Sequence, residues 1–285
     1  MRFVGANLGS QWGFLSPQNR PMRFVFVTFG DVEHCATLKR ATSMAPGLQA
    51  RGHEVFIILE DCEGNRKRVA FDCPQAQILW FTRGSRLADS RTKTRLARSV
   101  DPDVVWCCGL GLRTWVSFKT GKHRPLCLMD HVELMSAISF QTTKRVLRGW
   151  FDRFVEWLCL PSFDVHVCAS RYLERLFTER LKRRGLDRST LYFPYAFNDD
   201  MANADAPLRG ELEARYGGRR VLLYMGSLWE NYGCLDMLEA VTILARERDD
   251  FVFVLMGKGP LEQRCRELIA ERGLGDVALM PGYVP

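Results

Sequence analysis

The chain has 285 residues, 47% apolar and 26% charged, an ordinary globular composition that supports a packed core. Its apolar runs, such as Val55 to Leu59, fall well short of the roughly 20 residues that cross a bilayer, and residues 1–21 carry Arg2 and Arg20 without a sustained apolar stretch or a small-residue cleavage site, so neither a spanning helix nor a secretory leader is expected. Residues 1–200 hold 30 Lys and Arg against 20 Asp and Glu, while residues 201–285 hold 10 against 13, so the net charge of +7 sits in the first part and points it at something anionic: membrane lipid, a phosphate-bearing substrate or nucleic acid.

Residues 1–21 read as a weakly ordered extension, because Met22-Arg-Phe-Val repeats Met1-Arg-Phe-Val and the regular pattern starts there. Met22 to Phe29 is strand-like and ends at Gly30. Ala36 to Arg51 has helical spacing and stops at Gly52. Glu54 to Glu60 and Ile78 to Phe81 are strands, Arg86 to Val100 a basic helix, Asp103 to Cys107 a strand, Leu112 to Thr120 a helix and Leu126 to Met129 a strand. Thr143 to Leu160 is a long helix, Val165 to Cys168 a strand and Arg171 to Arg184 a helix. Pro194, Asn198, Asp199, Asp200, Pro207, Gly217 and Gly218 then interrupt the pattern and suit a linker over 199–218. A second series follows: strand Arg220 to Met225, helix Leu235 to Arg246, strand Phe251 to Met256, helix Leu261 to Arg272 and strand Val277 to Met280.

The strands are continuously apolar and alternate with helices. That pattern predicts parallel sheets covered on both faces, with ligands bound beyond the carboxyl ends of the strands. None of the ten cysteines forms a CxxC pair or a zinc spacing, so they read as reduced thiols packed as small hydrophobes.

Two turns in the second series carry chemistry. Leu222-Leu-Tyr-Met-Gly226-Ser227-Leu228 leads through Asn231-Tyr232-Gly233 to Glu239-Ala240, a strand running through glycines into a helix. Such glycines let backbone approach a ligand, and helix N-terminal amides favour phosphate. Phe253-Val-Leu-Met-Gly257-Lys258-Gly259-Pro260 repeats the arrangement with a lysine able to meet a diphosphate, and Pro281-Gly282-Tyr283-Val284 closes the series. In this order and spacing the three segments resemble the C-terminal domain of GT4 glycosyltransferases. Leu48-Gln-Ala-Arg-Gly52-His53-Glu54-Val55, Ala169-Ser-Arg-Tyr-Leu173 and Phe193-Pro-Tyr-Ala-Phe-Asn198 extend the resemblance over residues 22 to 285.

The resemblance implies an α/β protein of the GT-B kind, with two Rossmann-like doubly wound domains facing across a cleft, the second incomplete. Residues 22–198 would bind the acceptor and 219–285 the nucleotide sugar. It implies a retaining transferase whose co-substrate is a nucleotide sugar, with no metal and no other cofactor. Gly226 and Ser227 would approach the diphosphate, Lys258 would lie near it, and Gly282, Tyr283 and Val284 would line the base pocket. Gly30 would mark the acceptor-side loop. The family often has arginine where this chain has Ser227 and lysine where it has Tyr232, so two diphosphate cations are replaced. Its Glu-x7-Glu element would lie downstream of Pro285, which leaves a catalytically incomplete sugar-nucleotide-binding fragment, or a GT-B-fold sugar-nucleotide epimerase, as alternatives.

On the acceptor side, Leu128-Met129-Asp130-His131-Val132-Glu133 puts polar groups at a strand's carboxyl end. His131 is the leading catalytic candidate, as a hydrogen-bond partner of the sugar or an aid to deprotonation, with Asp130 and Glu133 as rival bases and helix capping as the other role for Asp130. His34, His53, His123 and His166 read as loop or packing residues. The helix at 143–160 carries Val146, Trp150, Phe154, Trp157 and Leu158 beside Lys144, Arg145, Arg148 and Arg153. It reads either as a core-facing helix with a solvated basic side or, with Arg83 to Arg98, as a peripheral membrane face. The expected setting is cytoplasmic, including the inner face of a membrane, with an unidentified acceptor that could be lipid-linked or a cell-surface glycan precursor. Nucleic acid is not expected, since net charge alone would support it.

Overall fold

The computed structural model describes residues 20–28, 36–108, 124–134, 136–137, 146–194, 210, 214 and 217–283. The chain divides into two compact units, Met1–Phe197 and Asn198–Pro285.

The first unit is built on seven parallel strands: β1 (Arg23–Val27), β2 (Glu54–Glu60), β3 (Gln77–Phe81), β4 (Val104–Cys107), β5 (Leu126–His131), β6 (Val165–Cys168) and β7 (Ser189–Tyr192), in the order β3-β2-β1-β4-β5-β6-β7. Helices α1 (Ala36–Gln49), α2 (Glu63–Asp72), α3 (Arg86–Ser99), α4 (Val146–Cys159) and α5 (Arg171–Arg183) accompany them. The strands are apolar on both sides because both faces are covered. Phe26, Val55, Ile57, Leu59, Trp106 and Leu128 pack with α1 and α2 residues such as Ala41, Ala45 and Val69. Val25, Val27, Phe56, Ile58, Cys127 and Met129 pack on the other face with Ala97 of α3 and Val155 and Cys159 of α4. The order reverses between β1 and β4, where β1 pairs with both β2 and β4 in register Phe24 with Val55 and Phe24 with Val104.

The second unit holds three parallel strands, β8 (Arg220–Met225), β9 (Phe251–Met256) and β10 (Ala278–Gly282), in the order β10-β9-β8, with α6 (Cys234–Leu244) and α7 (Glu262–Glu271). Its core gathers Leu228, Cys234, Leu238, Val241, Phe253, Leu255, Cys265 and Leu268. β9 is buried from Phe251 to Leu255, whereas β8, the last strand in the order, leaves Val221, Leu222, Leu223 and Met225 exposed.

Two elements were not foreseen. Helix α2 is half charged and has no side-chain cap at Cys62, so it shows little apolar stripe; it forms because Val69 docks in the core. Strand β7 is four half-polar residues at the sheet edge. The expected helix Leu112 to Thr120, Gly30 and the first three residues of the 143–160 helix lie outside the described residues. Among the described residues nine cysteines are free and, Cys62 aside, buried; burial pushes the Cys73 and Cys168 thiols up to about 12, so they stay protonated and inert. Among the described residues no helix is long and apolar enough to cross a membrane.

Candidate functional site

The carboxyl end of β5 splits two candidates between opposite faces. Successive strand residues point to opposite sides, so Asp130 joins Leu128 on the α1 side and His131 joins Met129 on the other. The Asp130 carboxylate is fully buried. One oxygen lies 3.3 Å from an Arg40 guanidinium nitrogen, and the other accepts a hydrogen bond from Trp106 Nε1 at 3.3 Å. The Arg40 guanidinium lies 5.3 Å from the centre of the Phe193 ring, which meets Trp106 edge-on. Burial pushes the Asp130 carboxyl up to about 6 and outweighs the opposing pull of Arg40 and of the Trp106 hydrogen bond.

His131 is only 5% exposed. Its ring stacks on Phe177 of α5 at 3.7 Å between centroids, and its Nε2 lies 2.9 Å from Nδ1 of the buried His166. His166 Nε2 in turn lies 3.1 Å from the Leu160 carbonyl oxygen. A carbonyl only accepts, so His166 carries its proton on Nε2 and offers a lone pair at Nδ1. His131 then donates from Nε2 and keeps its own lone pair on Nδ1. Burial holds His131 well below the usual histidine range, helped by His166 and Arg180, and burial lowers His166 to about 4, so both rings are neutral at neutral pH. Glu133 is exposed, two residues beyond the strand end.

The segment after β5 is clamped by Glu156 of α4. This buried carboxylate accepts hydrogen bonds from Ser136 N and Oγ at 2.9 Å each and from Arg180 at 2.9 Å. Arg40, Trp106, His166, Phe177 and Glu156 had no sequence signal. Their partners lie 20 to 90 residues away (roughly) and meet through sheet register, as where Met129 pairs with His166 and His131 with Cys168.

In the second unit the three turns at the carboxyl ends of β8, β9 and β10 are stitched together. Gly226 N donates to Met256 O at 3.1 Å, Leu228 N to Lys258 O at 3.1 Å, Leu261 N to Leu228 O at 3.1 Å and Gly257 N to Gly282 O at 2.9 Å. Gly257 has φ 147°, and a Cβ there would lie 1.8 Å from Gly226 O; one at Gly259 would lie 2.4 Å from Leu228 O. These two glycines are therefore consumed by loop-to-loop packing rather than by a ligand's approach, which the sequence alone did not distinguish. The Tyr224 hydroxyl donates to Ser227 O at 3.0 Å and braces the first turn. Lys258 Nζ sits 5.1 Å from the centre of the Tyr283 ring. Gly226, Ser227, Lys258, Gly282 and Tyr283 thus share one edge of the sheet, while Val284 lies outside the described residues. Among the described residues no group of three or more His, Cys, Asp or Glu is placed to hold a metal ion.

Comparison with known proteins agrees with this architecture. The pattern of Glycosyltransferase Family 4 matches residues 39–188, and that of Glycosyl transferases group 1 matches residues 211–285. The chain is 34% identical over 209 residues to an alpha-D-kanosaminyltransferase of Streptomyces kanamyceticus, covering 72% of this chain and 54% of that one, so it spans about half the length of this relative. Among solved structures, Anabaena HepE in complex with UDP-glucose is similar at TM-score 0.68 and 13% identity, covering 93% of this chain and 70% of that one. Sucrose-phosphate synthase of Thermosynechococcus elongatus is similar at TM-score 0.66 and 16% identity, covering 92% and 71%. These likenesses show a fold of the GT-B kind. With a family pattern over more than half its length, on a fold of parallel sheets flanked by helices, the chain belongs to glycosyltransferase family 4.

Proposed function

We propose that the protein binds a nucleoside diphosphate sugar on its second unit and takes part in transferring that sugar, with retention of configuration, to an acceptor bound by its first unit. The stitched turns of β8 to β10 carry this reading. They hold Ser227, Lys258 and Tyr283 at the strand ends on a backbone that cannot relax apart, as an anionic ligand requires. Gly226 and Ser227 approach the diphosphate, Lys258 leaves Tyr283 to meet it as a point charge, and the Gly282 to Val284 backbone lines the base. The name of the kanosaminyltransferase and the UDP-glucose bound to HepE support a sugar nucleotide as donor.

In the first unit, His131 has spent its Nε2 proton on His166, so a role toward a sugar hydroxyl falls to its Nδ1 lone pair, as acceptor. Asp130 tunes that strand end from the other face, and the exposed Glu133 is the remaining base candidate. The transfer runs without a metal, and the acceptor is a lipid-linked or other glycan precursor.

The test is thermal unfolding of the chain against UDP-, GDP- and ADP-sugars, each with and without EDTA. One nucleotide class is expected to raise Tm with EDTA present, by the linkage that follows binding to the folded state, and Lys258→Ala should weaken that binding about tenfold, the loss of one charge-assisted contact. A Tm indifferent to all three classes overturns the donor assignment; a rise that EDTA abolishes overturns the metal-free one.

A further inference from the structure

Helix α4 is turned inside out. At about 100° per residue, Val146, Trp157, Trp150, Phe154, Leu147 and Phe151 fall within one arc of about 140°. All six are exposed, from 48% at Phe151 and 60% at Trp150 to 87% at Leu147. The residues that face inward are Gly149, Asp152, Val155, Glu156 and Cys159. The two acids among them are held by arginines, Asp152 by Arg148 at 2.9 Å and Glu156 by Arg180 at 2.9 Å. A surface helix ordinarily buries its apolar stripe and solvates its charges. The core-facing reading therefore fails for the aromatic stripe: α4 meets the core through Val155 and Cys159, beside the two paired acids, and presents its aromatic residues outward.

The rim of this arc is cationic. Arg148 lies 5.6 Å from the centre of the Phe151 ring, Arg153 lies 5.8 Å from that of Trp150 and Arg184 lies 4.1 Å from that of Trp157. Helix α3 covers the same face of the seven-stranded sheet as α4. It adds exposed Arg91, Arg95 and Arg98 around a shallow hollow. Tryptophan and phenylalanine flanked by arginine suit the boundary between headgroups and acyl chains.

We propose that this face docks on an anionic lipid bilayer, with α4 lying in the plane of the interface and the arginines of α3 and α4 meeting lipid phosphates. Charge complementarity selects that occupant over a second copy of the chain. In a two-fold dimer the arginines around the arc would meet the same arginines of the partner, whereas anionic headgroups attract every one of them. The proposal stands apart from the sugar-transfer reading, since it needs neither donor nor acceptor.

Sedimentation with vesicles tests it. The chain is expected to pellet at low salt with phosphatidylcholine vesicles containing phosphatidylglycerol and to stay in solution with phosphatidylcholine alone. Trp150→Glu/Phe154→Glu, at exposed positions, should weaken partition at least about tenfold with an unchanged circular dichroism melt. Arg91→Glu/Arg95→Glu, which leaves α4 intact, should weaken it about tenfold at low salt and flatten its salt dependence. Failure to pellet with anionic vesicles overturns the proposal. So does a vesicle-free, concentration-dependent dimer that Trp150→Glu abolishes, which would give the face to a second copy.

Discussion

At the scale of single residues, the buried groups around β5 set a pH response whose sign follows from their protonation. His166 is held at about 4 in the folded chain against 6.5 ordinarily, and His131 is also held low. The unfolded chain therefore binds those protons first as pH falls. The stability that comes from keeping the rings neutral is whole above about pH 6.5 and drains between there and about pH 4. Asp130 acts oppositely: its carboxyl, raised to about 6 from 3.8, takes its proton in the folded state first, so folding gains as pH falls from about 6 to 3.8. Two losses against one gain predict a urea midpoint that drops from pH 7 to pH 5. Asp130→Asn should steepen that drop and His166→Gln should make it shallower; a slope unaffected by either change would remove this cluster from the acid limb. The sequence showed that polar groups gather at the end of β5. It did not show that Asp130 and His131 face opposite ways into separate partners, because those partners arrive from Arg40, Trp106 and His166, far along the chain.

At the scale of elements, local pattern foretold most of what formed. Mainly apolar runs marked β2, β6, β8 and β9 to the residue, because strands of a parallel sheet read as short, nearly continuous apolar segments. Helix α2 escaped because its docking rests on few apolar side chains, and α4 was ambiguous because its spacing reveals an apolar stripe but not which way that stripe faces. The glycine turns were located correctly and half understood. Gly257 and Gly259 leave room for carbonyl groups of the neighbouring turn, so a methyl group has nowhere to go. Gly257→Ala should cost about 3 kcal/mol or more, through both the forced φ and the collision with Gly226 O. Urea unfolding of the variant checks this, and a loss under about 1 kcal/mol would mean that the turns are not keyed together.

At the scale of the whole molecule, the two units own separate cores, one spread over both faces of seven strands and the other gathered around β9. Calorimetry is expected to resolve two unfolding events. A nucleotide sugar at about a hundred times its Kd should stabilise the event that Gly257→Ala weakens by about 2.7 kcal/mol and leave the other in place. Parallel shifts of both events would show instead that the units melt as one. Charge is divided in the same way: the basic excess lies in residues 1–200 and a slight acidic excess in residues 201–285. On the two proposals above, attraction to an anionic surface would belong to the first unit, and the second would capture its anion with a few placed groups.

The keyed turns also bear on how a bound ligand would be felt inside the second unit. With one loop's carbonyl seated where its neighbour lacks a side chain, and with Leu228 tied both to Lys258 and to the start of α7, the strand ends behave like interlocked teeth. A pull on the lysine turn is passed to the turn ahead of α6 without slack, so an anion gripped at one tooth would stiffen the whole row.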